Sequence, residues 1–211
     1  MERAVEPLAP TKVAGMKGGG VKPSRGRPRS EHSHEAILSA VLALLEKEGY
    51  QGITIEGVAR EAGVGKQTIY RWWRCRAELV LEAYANHAAS KVPVPDKGSL
   101  QADLEIFLST AFHRLTNVTG SIMRGLMADA VLDPEFGNIL RDVFLMRRRH
   151  ALKEILEKGV ARGELRFDVD TEVMIDLLSG PMWYRLLTQH ENLDAAFARK
   201  LVAMVLGATR A

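Results

Sequence analysis

The side chains best suited to hydrogen-bond chemistry are concentrated in one short stretch of the N-terminal half. Its polar members are Lys66, Gln67, Thr68, Tyr70 and Arg71. On a helix of roughly 100° per residue, the lysine and the tyrosine form one i, i+4 pair, and the glutamine and the arginine form another. Such side chains can bond base edges or phosphates in the major groove of DNA. The stretch therefore indicates a helix that reads nucleic acid.

The other face of this stretch is apolar. Ile69 and Trp73 fall together on the helix, and Trp72 lies beside them. We expect a very short helix over residues 66–73, whose back is held on a small core by the two tryptophans. Its polar front would then be presented to a partner.

A second short helix is predicted immediately before this one. Thr54 is a suitable N-cap, the helix continues to about Glu61, and Gly63 supplies the sharp turn that follows. Two short helices joined by a glycine-containing turn form a helix-turn-helix, whose second helix can enter the major groove. A turn within an ordinary helical bundle would give the same pattern, and both interpretations are open at this point.

The composition describes a folded chain with a basic N-terminal segment. Of the 211 residues, 46% are hydrophobic, which is enough for a core, and no apolar run reaches the length of a membrane span. The formal net charge is +3, yet residues 1–30 alone hold seven basic and two acidic residues. Such an arm indicates either a polyanion partner or a solvated tail. Because the first thirty residues lack an export signal, we expect a cytoplasmic, nucleoid-associated protein.

The periodicity predicts an all-α protein of about nine helices. A three-helix helix-turn-helix domain would be followed by a larger C-terminal helical bundle. We expect the first helix to begin after Ser33 and to end at Gly49, and a fourth helix to begin near Arg76. The remaining helices are predicted near residues 99–116, 120–131, 134–162, 170–189 and 193–208.

The helix-turn-helix segment has a family resemblance. The residues TIEGVAREAGVGKQTIYRWW at 54–73, followed by RAELV at 76–80, resemble the DNA-binding domain of the TetR/AcrR family of bacterial transcriptional regulators. The resemblance is close over residues 33–80 and looser in the rest of the chain. It implies a helix-turn-helix domain at 31–80 and a helical ligand-binding and dimerisation domain at 81–211. The glycine, proline and basic residues of 1–30 predict a disordered arm before them.

The resemblance also implies roles for individual residues. It implies phosphate contacts from Thr54, Tyr70 and Arg76. It implies groove contacts from Lys66, Gln67 and Thr68, and Arg71 shares the face of Gln67. The partner would be a pseudo-palindromic double-stranded DNA operator. The family often has Pro-Ser-Lys where this chain has Arg74-Cys75-Arg76, so a rigid proline turn is replaced by added positive charge.

The segment RGRPR at 25–29 resembles the core of an AT-hook. In that interpretation Arg25 and Arg27 would enter a narrow A·T-rich minor groove, where the negative potential is enhanced. The alternative is a generic basic arm that touches phosphates.

The last two predicted helices offer a surface for a second copy of the chain. The candidate interface residues are Leu178, Pro181, Met182, Leu186, Leu201 and Val205. The family resemblance implies that these helices pair with their copies as a four-helix bundle. The alternative is that the same residues form only an internal core.

The middle helices are rich in methionine and phenylalanine. The resemblance implies a small-molecule pocket there, for which the candidates are Phe107, Met123, Met127 and Phe144. Methionine adapts to varied apolar shapes, so the ligand would be apolar or amphipathic, but a plain core is the alternative. The basic run MRRRH at 146–150 is typical of a solvated face and is assigned no role.

The sequence carries no sign of an enzyme. Its six histidines lack metal-ligand spacing, and no glycine-rich phosphate loop follows a strand, so neither a catalytic residue, a metal nor a cofactor is expected. Cys75, flanked by two arginines, is a candidate redox sensor or an incidental thiol. The leading hypothesis is a homodimeric repressor released from its operator by a small ligand. The alternative is an all-α interaction module whose basic arm binds acidic partners.

Overall fold

The fold is all-α, as predicted. The computed structural model describes residues 27–88, 94–116, 118–166 and 168–208. Its helices are α1 (Arg27–Gly52), α2 (Ile55–Glu61), α3 (Lys66–Tyr70), α4 (Arg76–Ala88), α5 (Leu100–Arg114), α6 (Val118–Leu132), α7 (Pro134–Leu140), α8 (Met146–Ala161), α9 (Thr171–Thr188) and α10 (Ala195–Gly207). A π-helical turn, Arg141–Leu145, joins α7 to α8. Helix α7, the π-helical turn and α8 form one continuous stretch, as was predicted for residues 134–162. Counted as one, this stretch brings the described residues to nine helical stretches.

The chain divides into two compact units near residue 90. In the N-terminal unit α4 packs against α1, and Leu79, Val80 and Ala83 of α4 are buried. The predicted boundary at residue 80 therefore falls inside this helix. The N-terminal unit is a four-helix body in which α4 completes the core that α1, α2 and α3 share.

Helix α1 begins earlier than its sequence signal indicated. Ser33 was expected to cap it, but the helix begins at Arg27, and Ser33 lies inside it. Pro28 is tolerated there because the first turn of a helix has no intrahelical partner for its backbone N–H groups. The predicted break at Gly49 is confirmed, since this residue has a φ of 68° within the helical span. The backbone there is left-handed, which glycine adopts without steric cost.

The C-terminal unit is built around α5. The helix buries Leu104, Phe107, Leu108, Ala111 and Phe112, and it packs against α10 and α8. Asp103 is fully buried on the same helix, where it accepts a hydrogen bond from the backbone N–H of Lys97 at 2.6 Å. It also lies 3.5 Å from Arg162, which offsets the cost of burying a carboxylate. None of the helices described in either unit is long and apolar enough to cross a membrane.

Candidate nucleic-acid interface

The helix-turn-helix geometry follows the predicted local signals. Thr54 caps α2, and its hydroxyl oxygen accepts the backbone N–H of Gly57 at 3.0 Å. Gly63 has a φ of 65°, which makes the turn between α2 and α3. The backbone carbonyl of Ala59 accepts the N–H of Val64 at 2.9 Å and closes this turn. These short-range interactions shape the turn that leads from the first helix into the second.

The back of α3 is fixed to two other helices through one aromatic cluster. Trp73 is only 2% exposed, and its indole N–H donates to Glu82 of α4 at 2.8 Å. The ring of His34 from α1 stacks on Trp73 with the centroids 4.9 Å apart, and His34 Nε2 lies 3.0 Å from Glu82. Ile69 is also fully buried. The position of α3 is therefore determined by α1 and α4 together.

Trp72 does not share this burial. Helix α3 ends at Tyr70, so the helical wheel that placed both tryptophans inward does not apply beyond that residue. Trp72 is 36% exposed; its ring lies edge-to-face with the His34 ring, with centroids 4.9 Å apart, and 6.4 Å from the Trp73 ring. Of the two predicted tryptophan anchors, one is buried and the other lies at the surface beside the polar face of α3.

The outward face of α3 carries the polar side chains that the sequence singled out. Lys66, Gln67, Tyr70 and Arg71 are exposed, and Thr68 is half-buried. The side chain of Tyr70 is 55% exposed, so it does not belong to the core. A tyrosine at the surface in this way is typical of a side chain that contacts a partner. The structure thus brings these residues together on one surface, with Thr54 exposed at the start of α2.

Lys66 has an acidic partner on this surface. Its ammonium donates to the carboxylate of Glu56 on α2 at 2.7 Å. This hydrogen bond is the main cause of a raised pKa for Lys66 and of a lowered pKa for Glu56. Both groups are exposed, so the pair remains open to competition from a nearby phosphate. Sequence reasoning did not identify Glu56.

Arg76 is placed differently from the other predicted DNA contacts. Its guanidinium donates to the backbone carbonyl of Ile53 at 3.3 Å and lies over the ring of Tyr50, 4.7 Å from the centroid. These contacts join the start of α4 to the segment between α1 and α2. Arg76 is therefore a structural link within the N-terminal unit, and its contact with phosphate stays a prediction.

The start of α4 is defined by Glu78 in place of the family's proline turn. Its carboxylate accepts the backbone N–H of Arg74 at 2.9 Å and pairs with the Arg74 side chain at 3.0 Å. Cys75 lies between these groups and is half-buried. Burial is the main cause of a raised pKa for the Cys75 thiol, so the reactive thiolate expected of a redox sensor is disfavoured.

The AT-hook hypothesis requires Arg25 and Arg27 to lie in an extended segment, and the structure describes neither of them in one. Arg25 lies outside the described residues. Arg27 is the first residue of α1, so the backbone at this end of the RGRPR segment is helical rather than extended. The minor-groove interpretation receives no support from the described part of the segment.

The predicted ligand residues lie at different depths in the C-terminal unit. Phe107 and Met123 are fully buried, whereas Met127 and Phe144 are half-buried. An arginine from the run that was assigned to a solvated face joins them. The guanidinium of Arg148 lies 5.8 Å from the ring centroid of Phe107 and 5.7 Å from that of Phe144. Arg148 and Arg149 of this run are both half-buried, so the run is not uniformly solvated.

The predicted dimer residues are mostly interior. Leu178, Met182, Leu186, Leu201 and Val205 are buried within the chain itself, and Pro181 is half-buried. They contribute to the core of the C-terminal unit, and their contact with a second copy stays a prediction. Helix α9 nevertheless exposes a second apolar line, the α9 stripe, which consists of Val173, Leu177, Tyr184 and Leu187.

The α9 stripe follows helical spacing. Its members are separated by four, seven and three residues, and Gly180 fills the gap, so they share one face. Met204 of α10 is also strongly exposed, at 76%. An exposed apolar line of this kind marks an interaction surface. No group of three or more histidine, cysteine, aspartate or glutamate side chains that could hold a metal is present within the described ranges.

The comparison with protein families covers both units. Residues 37–83 match the family described as bacterial regulatory proteins, tetR family. Residues 94–205 match the tetracyclin repressor-like, C-terminal domain. The two matches fall on the helix-turn-helix and on the C-terminal helical unit, respectively.

Relatives match over most of their length. The chain is 38% identical to the uncharacterized HTH-type transcriptional regulator YdeS of Bacillus subtilis over 178 residues, covering 84% of this chain and 90% of that protein. It is 32% identical to a DNA-binding transcriptional repressor TetR of Mycobacteroides abscessus over 186 residues, covering 84% and 94%.

A solved structure of a TetR family regulator has the same fold as this chain. The crystal structure of the TetR family transcription regulator SCO0332 superposes with a TM-score of 0.71 at 34% identity, covering 83% of this chain and 97% of that chain. This chain belongs to the TetR family of helix-turn-helix transcriptional regulators, which bind DNA and are not enzymes.

Proposed function

We propose that the protein is a homodimeric repressor that inserts α3 into the major groove of a pseudo-palindromic operator and leaves DNA when a small molecule binds its C-terminal unit. The observation that supports this most directly is the form of α3. One face of this five-residue helix is polar and exposed, and the other is held by Trp73, His34 and Glu82. A short helix needs such support if it is to press against DNA without moving.

The exposed side chains divide into two groups by their chemistry. Gln67 can bond an adenine bidentately, and Lys66 and Arg71 can bond guanine or phosphate. Thr54 and Tyr70 have the hydroxyl groups that suit phosphate contacts. In this scheme Gln67 contributes most to the choice of base, while the hydroxyl groups set the register on the duplex.

The homodimer follows from the size of α3. A single five-residue helix contacts few base pairs, so two copies must bind two half-sites about one helical turn apart to reach useful specificity. The α9 stripe, with Met204 of α10, is the surface that we assign to the second copy. Its exposed side chains replace the buried ones that the sequence suggested. An isologous contact would bring each stripe against its own copy.

The small-molecule step rests on the composition of the C-terminal unit. Half-buried Phe144 and Met127 accompany fully buried Phe107 and Met123, which is consistent with an adaptable apolar site. The FadR regulator of Bacillus subtilis, which shares this fold at 16% identity and a TM-score of 0.65, was solved in complex with stearoyl-CoA. We propose an apolar or amphipathic effector for this chain as well. The factor by which it weakens DNA binding cannot exceed the ratio of its affinities for two states of the dimer.

The decisive experiment is selection of bound fragments from genomic DNA by the purified protein, followed by gel-shift titration of the recovered site. We expect binding that survives excess random competitor and that Gln67→Ala weakens by about 1–3 kcal/mol on the recovered site but little on random DNA. Gln51→Ala removes an exposed glutamine that has no proposed DNA contact, so it is the matched control and should change neither affinity. If no fragment is enriched, or if competitor removes all binding, the repressor proposal fails and the basic arm acts on acidic partners without sequence preference.

A further inference from the structure

Helix α3 is too short to fix its own position. It has five residues, of which only Ile69 is buried, and a helix of this length has no stability of its own in water. A much larger buried side chain, that of Trp73, follows soon after the helix ends and is only 2% exposed. The backbone N–H of Trp73 donates to the carbonyl of Ile69 at 3.0 Å. The orientation of the Trp73 ring therefore bears on the orientation of α3.

Helix α4 presents two carboxylates to the segment that follows α3. Glu78 and Glu82 are one helical turn apart, so they lie on the same face of α4. Glu78 accepts the backbone N–H of Arg74 at 2.9 Å. One turn further along, Oε2 of Glu82 accepts the indole N–H of Trp73 at 2.8 Å. Two consecutive residues after α3 are thus bonded to two successive turns of α4.

The other oxygen of Glu82 also has a partner. His34 Nε2 of α1 lies 3.0 Å from Oε1, and the side chains of His34 and Glu82 are only 23% and 22% exposed. A carboxylate accepts hydrogen bonds and has none to donate, so Nε2 carries the hydrogen of this contact. The imidazole ring also stacks on Trp73. Glu82, His34 and Trp73 therefore form a closed cluster in which each member contacts the other two.

The hydrogen bond to Glu82 fixes the direction of the Trp73 ring in a way that apolar packing does not. The indole has a single N–H donor, which here points to one oxygen. Without an acceptor this buried donor is left unpaired, and the ring must turn toward water to regain a partner. Such a turn would move the face of α3 that carries Gln67. Hydrogen bonds to base edges depend on that placement, whereas attraction to phosphates depends mainly on charge.

We propose that Glu82 is a positioning residue for DNA reading. It acts through the Trp73 indole without touching DNA, sets the orientation of α3, and so determines how well the protein distinguishes its operator from other sequences. This inference rests on the proposed function, because α3 is the element that enters the groove there. It goes further by assigning part of the selectivity to a hydrogen-bond acceptor on α4, outside the exposed polar face.

Two substitutions separate the acceptor from its charge. Glu82→Gln removes the charge but keeps an oxygen for the indole, and its amide N–H can donate to His34 in the other ring tautomer. Glu82→Leu removes both the charge and the acceptor. We expect Glu82→Leu to lower the ratio of operator affinity to random-DNA affinity about tenfold or more, because a buried donor loses its acceptor. Glu82→Gln should leave this ratio nearly unchanged.

Gel-shift titration of the full-length protein measures both affinities, with the operator taken from the genomic selection. Glu46→Leu makes the same replacement at an exposed position of α1 and should not change the ratio. A ratio that falls equally in Glu82→Gln and Glu82→Leu would show that charge, and not the acceptor, matters. That result would overturn the inference, as would a ratio unchanged in Glu82→Leu or lowered as much by Glu46→Leu.

A double-mutant cycle tests the route through Trp73. Trp73→Phe keeps an aromatic ring in the buried position but has no N–H donor, so it should lower the ratio as Glu82→Leu does. Adding Glu82→Leu to Trp73→Phe should then lower the ratio little further, because the interaction is already absent. A full second loss would mean that Glu82 acts by another route. If Glu82→Leu does not fold, the inference stands only if the ratio falls in Trp73→Phe and persists in Glu82→Gln.

A measurement without DNA keeps this inference distinct from the repressor proposal. In protein labelled with the NMR-active nitrogen isotope, the three tryptophans give three indole N–H resonances, and Trp73→Phe identifies the one from Trp73. We expect this hydrogen to exchange slowly with solvent in the wild type and in Glu82→Gln, and much faster in Glu82→Leu. Equal exchange in all three would overturn the inference. Failure of operator selection would instead overturn the repressor proposal, while the exchange rates still show whether Glu82 holds the ring.

Discussion

At the scale of single residues, the hydrogen bond between Lys66 and Glu56 involves one of the side chains that we propose to contact DNA. In the free protein the carboxylate holds the ammonium at 2.7 Å, and it also places a negative charge near the surface that would meet phosphates. Because Glu56 has a lowered pKa, the pair stays ionised through the neutral pH range. Glu56 should therefore weaken binding to every DNA sequence and so limit the non-specific affinity of the protein.

Substitution of Glu56 tests this directly. Glu56→Gln should tighten binding to both the operator and random DNA, and it should steepen the dependence of log K on log salt by about 0.9 because one more phosphate is neutralised. Gel-shift titration over a series of salt concentrations measures both quantities. Glu61→Gln removes the same charge from the exposed end of α2 and is the control. Equal effects of the two variants would show that net charge alone, and not the release of Lys66, changes affinity.

The Cys75 thiol offers a second test at this scale, through pH. Burial raises the pKa of Cys75 in the folded state above the ordinary thiol value. At neutral pH the thiol is therefore protonated in both the folded and the unfolded chain. As pH rises past the ordinary value, the unfolded chain loses this proton first, and the folded state loses stability. We expect alkylation of Cys75 by iodoacetamide at pH 8 to be several times slower in the folded protein than in urea. A folded-state rate as fast as that in urea would restore the redox-sensor hypothesis.

At the scale of helices, α3 is supported from behind but weakly capped at its start. Gly65 is its N-cap, with an extended backbone and no side chain to accept the free N–H groups of the first turn. A Cβ built at this position meets nothing within 4 Å. Gly65→Ser should therefore stabilise the protein by roughly 0.3–1 kcal/mol, because serine can cap the helix and restricts the unfolded chain.

The neighbouring glycine provides the opposite expectation. Gly63 has a φ of 65°, a backbone conformation that serine adopts only with strain, so Gly63→Ser should destabilise the same turn. Urea denaturation followed by circular dichroism compares the two variants with the wild type. A Gly65→Ser midpoint at or below that of the wild type would mean that the first turn of α3 gains nothing from a cap.

Local sequence signals predicted the helix-turn-helix well and the C-terminal unit less well. Thr54 and Gly63 act within a few residues of themselves, so cap and turn could be inferred without tertiary information. The faces of α9 could not, because leucines occur both inside and outside: Leu178 is buried, whereas the adjacent Leu177 is exposed. Arg148 escaped prediction because the π-helical turn before it has a different period from the α-helix that was assumed.

At the scale of the whole molecule, the proposed repression requires two copies of the chain. The α9 stripe supplies an apolar face whose centre is Leu177, which is 52% exposed. Leu177→Glu should place like charges opposite each other in the dimer and shift it to monomers at micromolar concentration. Analytical ultracentrifugation measures the shift, and operator affinity should fall with it while the helix content is unchanged.

A substitution elsewhere on the C-terminal unit controls for the added charge. Val131 of α6 is 80% exposed and does not belong to the α9 stripe. Val131→Glu should leave the dimer intact. Dissociation by Val131→Glu, with Leu177→Glu still dimeric, would move the interface to the end of α6.

The placement of the three tryptophans gives the protein built-in optical reporters. Trp72 lies at the surface near the polar side of α3 that we propose to face DNA, and Trp73 is stacked on His34. Trp183 lies in the other unit beside Phe144, where the effector is expected. A Trp183→Phe chain would therefore emit fluorescence only from the DNA-reading unit. A Trp72→Phe, Trp73→Phe chain would emit only from the effector unit, so the two binding events can be followed separately without attaching a dye.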